Sequence, residues 1–406
     1  MRNQEFIDLH RRDDVRVLAL RPCPDGIDLQ WCLQQIEGWQ TACRKLPFWA
    51  MDENGETKTD VWFPPRISME QCSSQETAQY KAQVAVRVMG GEENCGELVD
   101  LTGGYGVDFS YMARHFRHAT YVEKQPHLCE IMKHNLPHLG IDNADIVNAD
   151  CTDLLRTELK ADGQRLIFAD PARRNNVGRK VVALRDCTPD IVELQDDLLE
   201  RAKVIIAKLS PMLDISMALR SLRGVAEVHV ISVRGECKEL LLVMTGDAAP
   251  YHDFYCVNIA DETDVFRHNG PIDAPEIAGS VLQYLYEPNA SILKAGVQDA
   301  LCREYGIGKL HAMSNLFTSG KHVANFPGRS FRVLATSTFG KKEIREMLKG
   351  ISRANIAIRN FPATVDELRR RLKLKDGGDV YLFATTVADG QHVLVKTTKI
   401  QQDYRL

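Results

Sequence analysis

The sequence predicts an α/β protein: a doubly wound, mostly parallel sheet that ends in an antiparallel strand, followed by a smaller α+β unit. Three observations carry this. From Glu97 onward, short apolar runs alternate with amphipathic stretches, the pattern of strands joined by crossover helices. The last two runs of that series are separated only by Arg234-Gly-Glu-Cys-Lys238, too short for a crossover, so they pair antiparallel. Third, Leu98-Val-Asp-Leu-Thr-Gly-Gly-Tyr-Gly-Val-Asp108 carries an apolar run through an acidic residue into a glycine-dense turn.

Taken in order, residues 1–65 predict helices, with Leu29, Leu33, Ile36 and Trp39 at helical spacing inside Asp28–Lys45. Asp60–Pro65 is a break. This segment shows no chemistry, and a packing or lid role is expected. Ser73 or Ser74 caps a helix that runs to about Met89, with Glu76 near its first turn. Strands are expected at Glu97–Leu101, Thr120–Glu123, Asp145–Asn148, Leu166–Ala169, Val204–Ala207, Glu227–Val233 and Glu239–Thr245. Helices are expected at Val107–His115, His127–Leu136, Asp190–Arg201 and Ser216–Leu222.

Residues 247–290 contain Pro250, Pro271, Pro275 and Pro288 and read as a connector. One amphipathic helix over Ser291–Tyr305 and one strand around Lys309–Asn315 follow. After Phe326-Pro-Gly-Arg329 the chain reads as a compact β-α-β-α-β-β unit, a small separate domain. Its strands are Phe331–Ser337, Ala354–Asn360 and the hairpin Val380–Val387 and His392–Thr398. Its helices are Lys341–Lys349 and Val365–Lys373.

At 406 residues the chain exceeds one ordinary core, so two or three domains are expected. No apolar run approaches the roughly 18 residues that span a bilayer, and Met1-Arg-Asn-Gln-Glu has no apolar leader. Eleven scattered cysteines without a Cys-x-x-Cys pair argue against a zinc site or a disulfide framework. A cytoplasmic protein without a metal and without a membrane partner is the expectation. The net charge of −4 hides an asymmetry. From Gly320 to Leu406 there are 17 Lys/Arg against 8 Asp/Glu, or +9, which leaves −13 for the rest. A basic quarter on an acidic body fits an anionic partner, or simply a solvated helix face.

The glycine turn lets backbone approach a ligand, because no Cβ intervenes. Glu123 ends the next apolar run, 17 residues after Gly106, where an acid can bond a ribose diol. Together they point to a nucleoside-containing cofactor. A dinucleotide fingerprint needs Gly-x-Gly-x-x-Gly, the third glycine allowing close helix–strand packing. Here Phe109 fills the third glycine's place in Gly104-Tyr-Gly106-Val-Asp-Phe109, which disfavours NAD. The antiparallel closing strand disfavours it too.

Asp100, Gly103-Gly104-Tyr105-Gly106, Glu123, Asn148-Ala149-Asp150 and Asp170-Pro171-Ala172-Arg173 together resemble the successive motifs of class I S-adenosylmethionine-dependent methyltransferases. The leading Ser-Ser-Gln-Glu-Thr-Ala-Gln-Tyr-Lys helix, the Asp-Pro-Ala-Arg tetrad and the C-terminal unit resemble a narrower bacterial group. That group carries a ferredoxin-like insert and a THUMP-like C-terminal domain. The resemblance implies a Rossmann-like seven-stranded sheet with an antiparallel last strand. It further implies a helical N-terminal region at 1–70, a methyltransferase domain at 71–248, a connector with a ferredoxin-like segment at 249–328, and a small α+β THUMP-like domain at 329–406. S-adenosylmethionine is the implied cofactor and RNA the implied partner, since THUMP domains are RNA-binding modules.

By the same resemblance, Thr102, Gly103, Gly104 and Gly106 lie under the methionine part of the cofactor, and Asp100 organises that turn. Glu123 takes the ribose hydroxyls. Asp150, with Cys151 beside it, sits against the adenine. Asp170 and Pro171 end the fourth strand, where relatives that methylate a base amine carry Asp-Pro-Pro-aromatic. A carboxylate and a proline-fixed carbonyl there can bond both N–H groups of the amine and turn its lone pair toward the sulfonium. This chain departs from that pattern. Arg173, followed by Arg174, replaces the aromatic residue, and an arginine plane stacks on a base or clamps a phosphate. Asp170, Pro171 and Arg173 are the expected catalytic residues, and Lys208 faces the same cleft. The rival readings are a non-catalytic RNA-binding protein on the same scaffold, an NAD-dependent oxidoreductase, and a methyltransferase acting on a small molecule or protein.

Overall fold

The computed structural model describes residues 2–157, 159–173, 184–246 and 251–401. The chain divides into two compact units. One holds Met1–Glu227 and Leu240–Pro250, the other Val228–Glu239 and Tyr251–Leu406. The division runs through a hairpin formed by the last two strands of the alternating series.

The first unit is built on β1 (Glu97–Asp100), β2 (His118–Val122), β3 (Ala144–Val147), β4 (Asp162–Ala169) and β5 (Ala202–Leu209). They are parallel in the order β5-β4-β1-β2-β3, with Asp100 opposite both Tyr121 and Phe168. After β6 (Val225–Val233) the chain reverses at Arg234-Gly235 into β7 (Glu236–Met244). Leu240–Met244 of β7 runs antiparallel to Leu209–Ile205 of β5. The α/β fold class, with its antiparallel closing strand, is the one the alternation predicts. The central strands carry fully buried apolar runs, Leu166-Ile-Phe-Ala169 and Val204-Ile-Ile-Ala207, as a sheet covered on both faces requires.

The helices start where side chains can take their first free N–H groups. Asp28 accepts from Trp31, Ser74 from Thr77, Asp190 from Val192 and Glu193, and Asp214 from Met217. The N-terminal region is helical and packs on the helix Val107–Met112 that follows the glycine turn. Trp49, fully buried, lies 5.0 Å from the Tyr105 ring and donates through its Nε1–H to Ser110 Oγ at 3.2 Å.

The second unit corrects three expectations. Residues expected to be connector form a hairpin, β8 (Asp253–Ile259) and β9 (Thr263–His268). The single helix expected over Ser291–Tyr305 is two, Ala290–Ala295 and Ala300–Tyr305, because Gly296 stops the first in the left-handed conformation at φ +76°. The single strand expected near Lys309 is also two, β11 (Gly308–His311) and β12 (Ser314–Ser319), after β10 (Tyr284–Pro288). The C-terminal β-α-β-α-β-β order is present as β13 (Gly328–Ser337), β14 (Asn355–Arg359), β15 (Val380–Thr386) and β16 (His392–Lys399), with helices Lys341–Met347 and Val365–Leu372. Its first strand pairs with β10, so the sheet runs β11-β12-β10-β13-β16-β15-β14 and is shared with the preceding segment. No helix among the described residues is long and apolar enough to cross a membrane.

Candidate active site

The candidate residues gather at the carboxyl ends of β1–β5, where open parallel sheets of this kind place their ligands. At the end of β1, Asp100 Oδ1 accepts from the Thr102 N–H at 2.9 Å and the Thr102 hydroxyl at 3.3 Å. This closes the entry to the glycine turn. Gly103 donates to the Val122 carbonyl at 2.8 Å, which holds the turn over β2. A Cβ on Gly103 would lie 2.3 Å from the Tyr121 ring, so only glycine fits. Tyr121 is itself wedged edge-on against Phe109, ring centroids 5.5 Å apart, and its hydroxyl donates to the Gly104 carbonyl. Phe109 is fully buried. The residue in the third glycine's place therefore packs the helix onto the sheet, where burial of such a side chain contributes about 1.5–3 kcal/mol.

Gly106 begins the following helix with φ +76°, a conformation that favours glycine. Glu123 tethers the turn from the end of β2. Its Oε2 accepts from Gly104 N at 3.0 Å and its Oε1 from Gln125 N at 2.8 Å. Asp150 follows β3 and caps the helix Cys151–Thr157 by accepting from Thr152 N at 2.9 Å. Asp170 follows β4, and its N–H donates to Thr102 Oγ1 at 2.6 Å.

These residues meet around one cleft of about 370 Å³, within the usual range for ligand pockets. Thr102, Gly104, Glu123, Asp150, Cys151 and Asp170 line it. Asp100, Gly103 and Gly106 do not; they shape the turn beneath, and Pro171 is buried beside Asp170. Arg173 pairs through its backbone with Cys187 in a two-residue strand. Its side chain and Arg174 lie outside the described residues. The N-terminal region, expected to pack or to act as a lid, contributes Ser68 to the cleft wall, beside Gln71 and Cys72. Nothing in those three residue types signals this, because the helix Arg66–Gln71 reaches the cleft through tertiary packing alone.

Beneath the cleft lies a charge chain that the sequence shows only as scattered letters. Lys208 Nζ donates to Asp170 Oδ2 at 2.7 Å and to Asp108 Oδ2 at 3.2 Å. Lys81, fully buried, lies 3.1 Å from Asp108 Oδ1. Ser73 Oγ donates to Asp108 Oδ2 at 2.8 Å and accepts from Lys81 Nζ at 3.0 Å. The Ser-Ser-Gln-Glu-Thr-Ala-Gln-Tyr-Lys motif thus serves to hold Asp108. Burial raises the Asp108 pKa, but the Lys81 and Lys208 ammonium groups outweigh it and bring the carboxyl down to about 2. Asp100 has no such cation among the described residues: burial pushes its carboxyl up to about 8, against the Thr102 N–H bond, with Asp108 and Asp170 pushing the same way. Burial likewise raises Cys151 to about 11, so it lines the cleft as a neutral thiol.

A family model described as THUMP domain-like matches residues 328–399, and one described as ferredoxin-like domain matches residues 284–327. No curated protein matches the chain. Among solved structures, a protein of Porphyromonas gingivalis W83, assigned as a methyltransferase, is 31% identical. The match covers 98% of each chain with a TM-score of 0.84. The cofactor-bound Rv0187 from MTB is 17% identical over 45% of this chain and 84% of its own, with a TM-score of 0.33. With its whole length matched to the Porphyromonas protein, the chain belongs to that methyltransferase family, which joins this α/β fold to ferredoxin-like and THUMP-like segments.

Proposed function

We propose that the chain is an S-adenosylmethionine-dependent methyltransferase that acts on RNA. One observation carries the reading: Thr102, Gly104, Glu123, Asp150, Cys151 and Asp170, from the ends of four adjacent parallel strands, line a single cleft. The residues suit the cofactor. Each Glu123 oxygen takes one backbone N–H and keeps a lone pair for a ribose hydroxyl. Asp150 offers a carboxylate to the adenine amine, and the turn brings bare backbone to the methionine end. When bound, the cofactor supplies a methyl group on a sulfonium.

The chain's own residues then position the acceptor. Asp170 Oδ2 is held by Lys208, and Oδ1 takes no bond from any described residue. That oxygen is left to accept an N–H or O–H from the substrate and orient its lone pair, which is positioning catalysis. The basic C-terminal segment and its THUMP-like match support an RNA substrate. In this reading residues 71–248 are catalytic, 1–70 complete the cleft wall, and 249–328 and 329–406 serve the substrate. All eleven cysteines are free thiols, which suits the cytoplasm.

Calorimetry with S-adenosylhomocysteine and transfer of a labelled methyl group to total cellular RNA test this. Wild type should bind and transfer, and Asp170→Ala should bind but transfer little. Absence of cofactor binding, or NAD binding in its place, overturns the reading.

A further inference from the structure

The fold satisfies some of the seventeen cations of residues 320–406 and leaves others open to solvent. Arg329 and Arg359 both bind the buried Glu287 carboxylate. Arg369 pairs with Asp366 at 3.5 Å and with Asp376, and Lys396 donates to the Met347 carbonyl at 2.9 Å. These charges are satisfied within the fold. Lys341, Arg345, Lys349, Arg371 and Lys373 are different. All five are exposed, and none forms an ion pair among the described residues. All five line one cavity of about 530 Å³, formed by helices Lys341–Met347 and Val365–Leu372 and the residues that follow each.

Among the described residues no carboxylate lines that cavity, and its floor is apolar, with Ile344, Leu348, Ile351 and Leu372. Phe339 closes one side, stacked on Phe361 at 4.9 Å, and the Arg371 guanidinium lies 5.7 Å from its ring centre. A ring of unpaired cations around an apolar floor calls for an anion with a flat apolar part.

We propose that this cavity seats an unpaired nucleotide of single-stranded RNA, its base on the Ile344–Leu348–Ile351 floor beside Phe339 and its neighbouring phosphates on the five cations. The proposal rests on the RNA reading above and names the form of RNA. A duplex keeps its bases stacked and paired, so it meets the cations but leaves the floor empty. An acidic peptide satisfies the rim, but the planar Arg371–Phe339 pair is a stacking face of the kind bases use.

The test is fluorescence anisotropy of the whole protein with three labelled RNAs of equal phosphate number: oligouridine, its abasic sugar–phosphate counterpart, and a blunt duplex. A polyglutamate peptide is the fourth probe. Oligouridine should bind about tenfold more tightly than the abasic strand, and Arg371→Ala should shrink that gap. The triple variant Lys341→Ser/Arg345→Ser/Lys349→Ser changes exposed side chains only, and its melting curve checks the fold. It should reduce the log–log salt slope by about 2, because each phosphate of a single strand that a cation neutralises adds about 0.7 to that slope. Equal binding of the abasic strand or duplex overturns the nucleotide seat, and polyglutamate binding as tightly with the same weakening in the triple variant makes it a peptide site. Wild-type RNA binding that both variants leave unchanged places the RNA elsewhere and spares the RNA reading. Failure of the wild type to bind any RNA removes both.

Discussion

Replacing Asp100 by asparagine should flatten the fall in stability of the first unit between mildly acidic and mildly alkaline pH. Asp100 is 2% exposed, and its one engaged oxygen accepts from Thr102 at 2.9 and 3.3 Å. Burial lifts its carboxyl from 3.8 to about 8, so the folded protein holds the neutral acid at pH 7. The unfolded chain releases that proton near 3.8. Between the two values the unfolded state binds fewer protons than the folded state, so stability falls as pH rises, by about 1.4 kcal/mol per unit. From pH 5 to pH 8 that amounts to about 4 kcal/mol. Asparagine keeps the acceptor oxygen and cannot ionise. The variant should therefore gain about 4 kcal/mol on the wild type across this interval. Urea unfolding read by tryptophan fluorescence is the assay, since Trp31, Trp39, Trp49 and Trp62 all lie in the first unit. Wild-type and variant stabilities that stay parallel from pH 5 to pH 8 would refute the argument that this carboxyl is buried without a counter-ion.

Further outcomes follow from the same geometry. Lys81→Met leaves Asp108 with one ammonium in place of two and should cost about 3–5 kcal/mol, measured as a lowered Tm; adding Asp108→Asn should recover part of the loss. Gly103→Ala forces a methyl group onto the immobile Tyr121 ring and should destabilise by about 1–3 kcal/mol in denaturant titration, a loss that Tyr121→Leu relieves. Glu123→Gln should weaken S-adenosylhomocysteine binding at least tenfold by calorimetry; unchanged affinity removes Glu123 from the cofactor site.

Much of the fold was legible because its signals are local. Acidic and hydroxyl caps at Asp28, Ser74 and Asp190 start helices where the pattern places them. The turn Arg234-Gly235 sets the antiparallel ending. The misread stretches share a cause: one local signal hid another. Four prolines between 250 and 288 masked the alternation of Phe254–Ile259 and Thr263–His268, which contain none. The apolar spacing across Ser291–Tyr305 stayed helical through Gly296, whose left-handed φ ends the first helix.

By itself the sequence determined the alternating α/β order, the glycine turn at 103–106, and the acids that end β1–β4, because strand period, capping and backbone freedom act over a few residues. It could not decide which charges meet. Lys81, Asp108, Asp170 and Lys208 form one chain beneath the cleft although 127 positions separate its ends. In the C-terminal segment, seventeen cations look alike as letters. Only packing divides those held by Glu287, Asp366 and Asp376 from the five that ring an apolar cavity. Ion pairing depends on distances of a few ångström across the fold, and those are fixed by how the sheets bury their apolar faces.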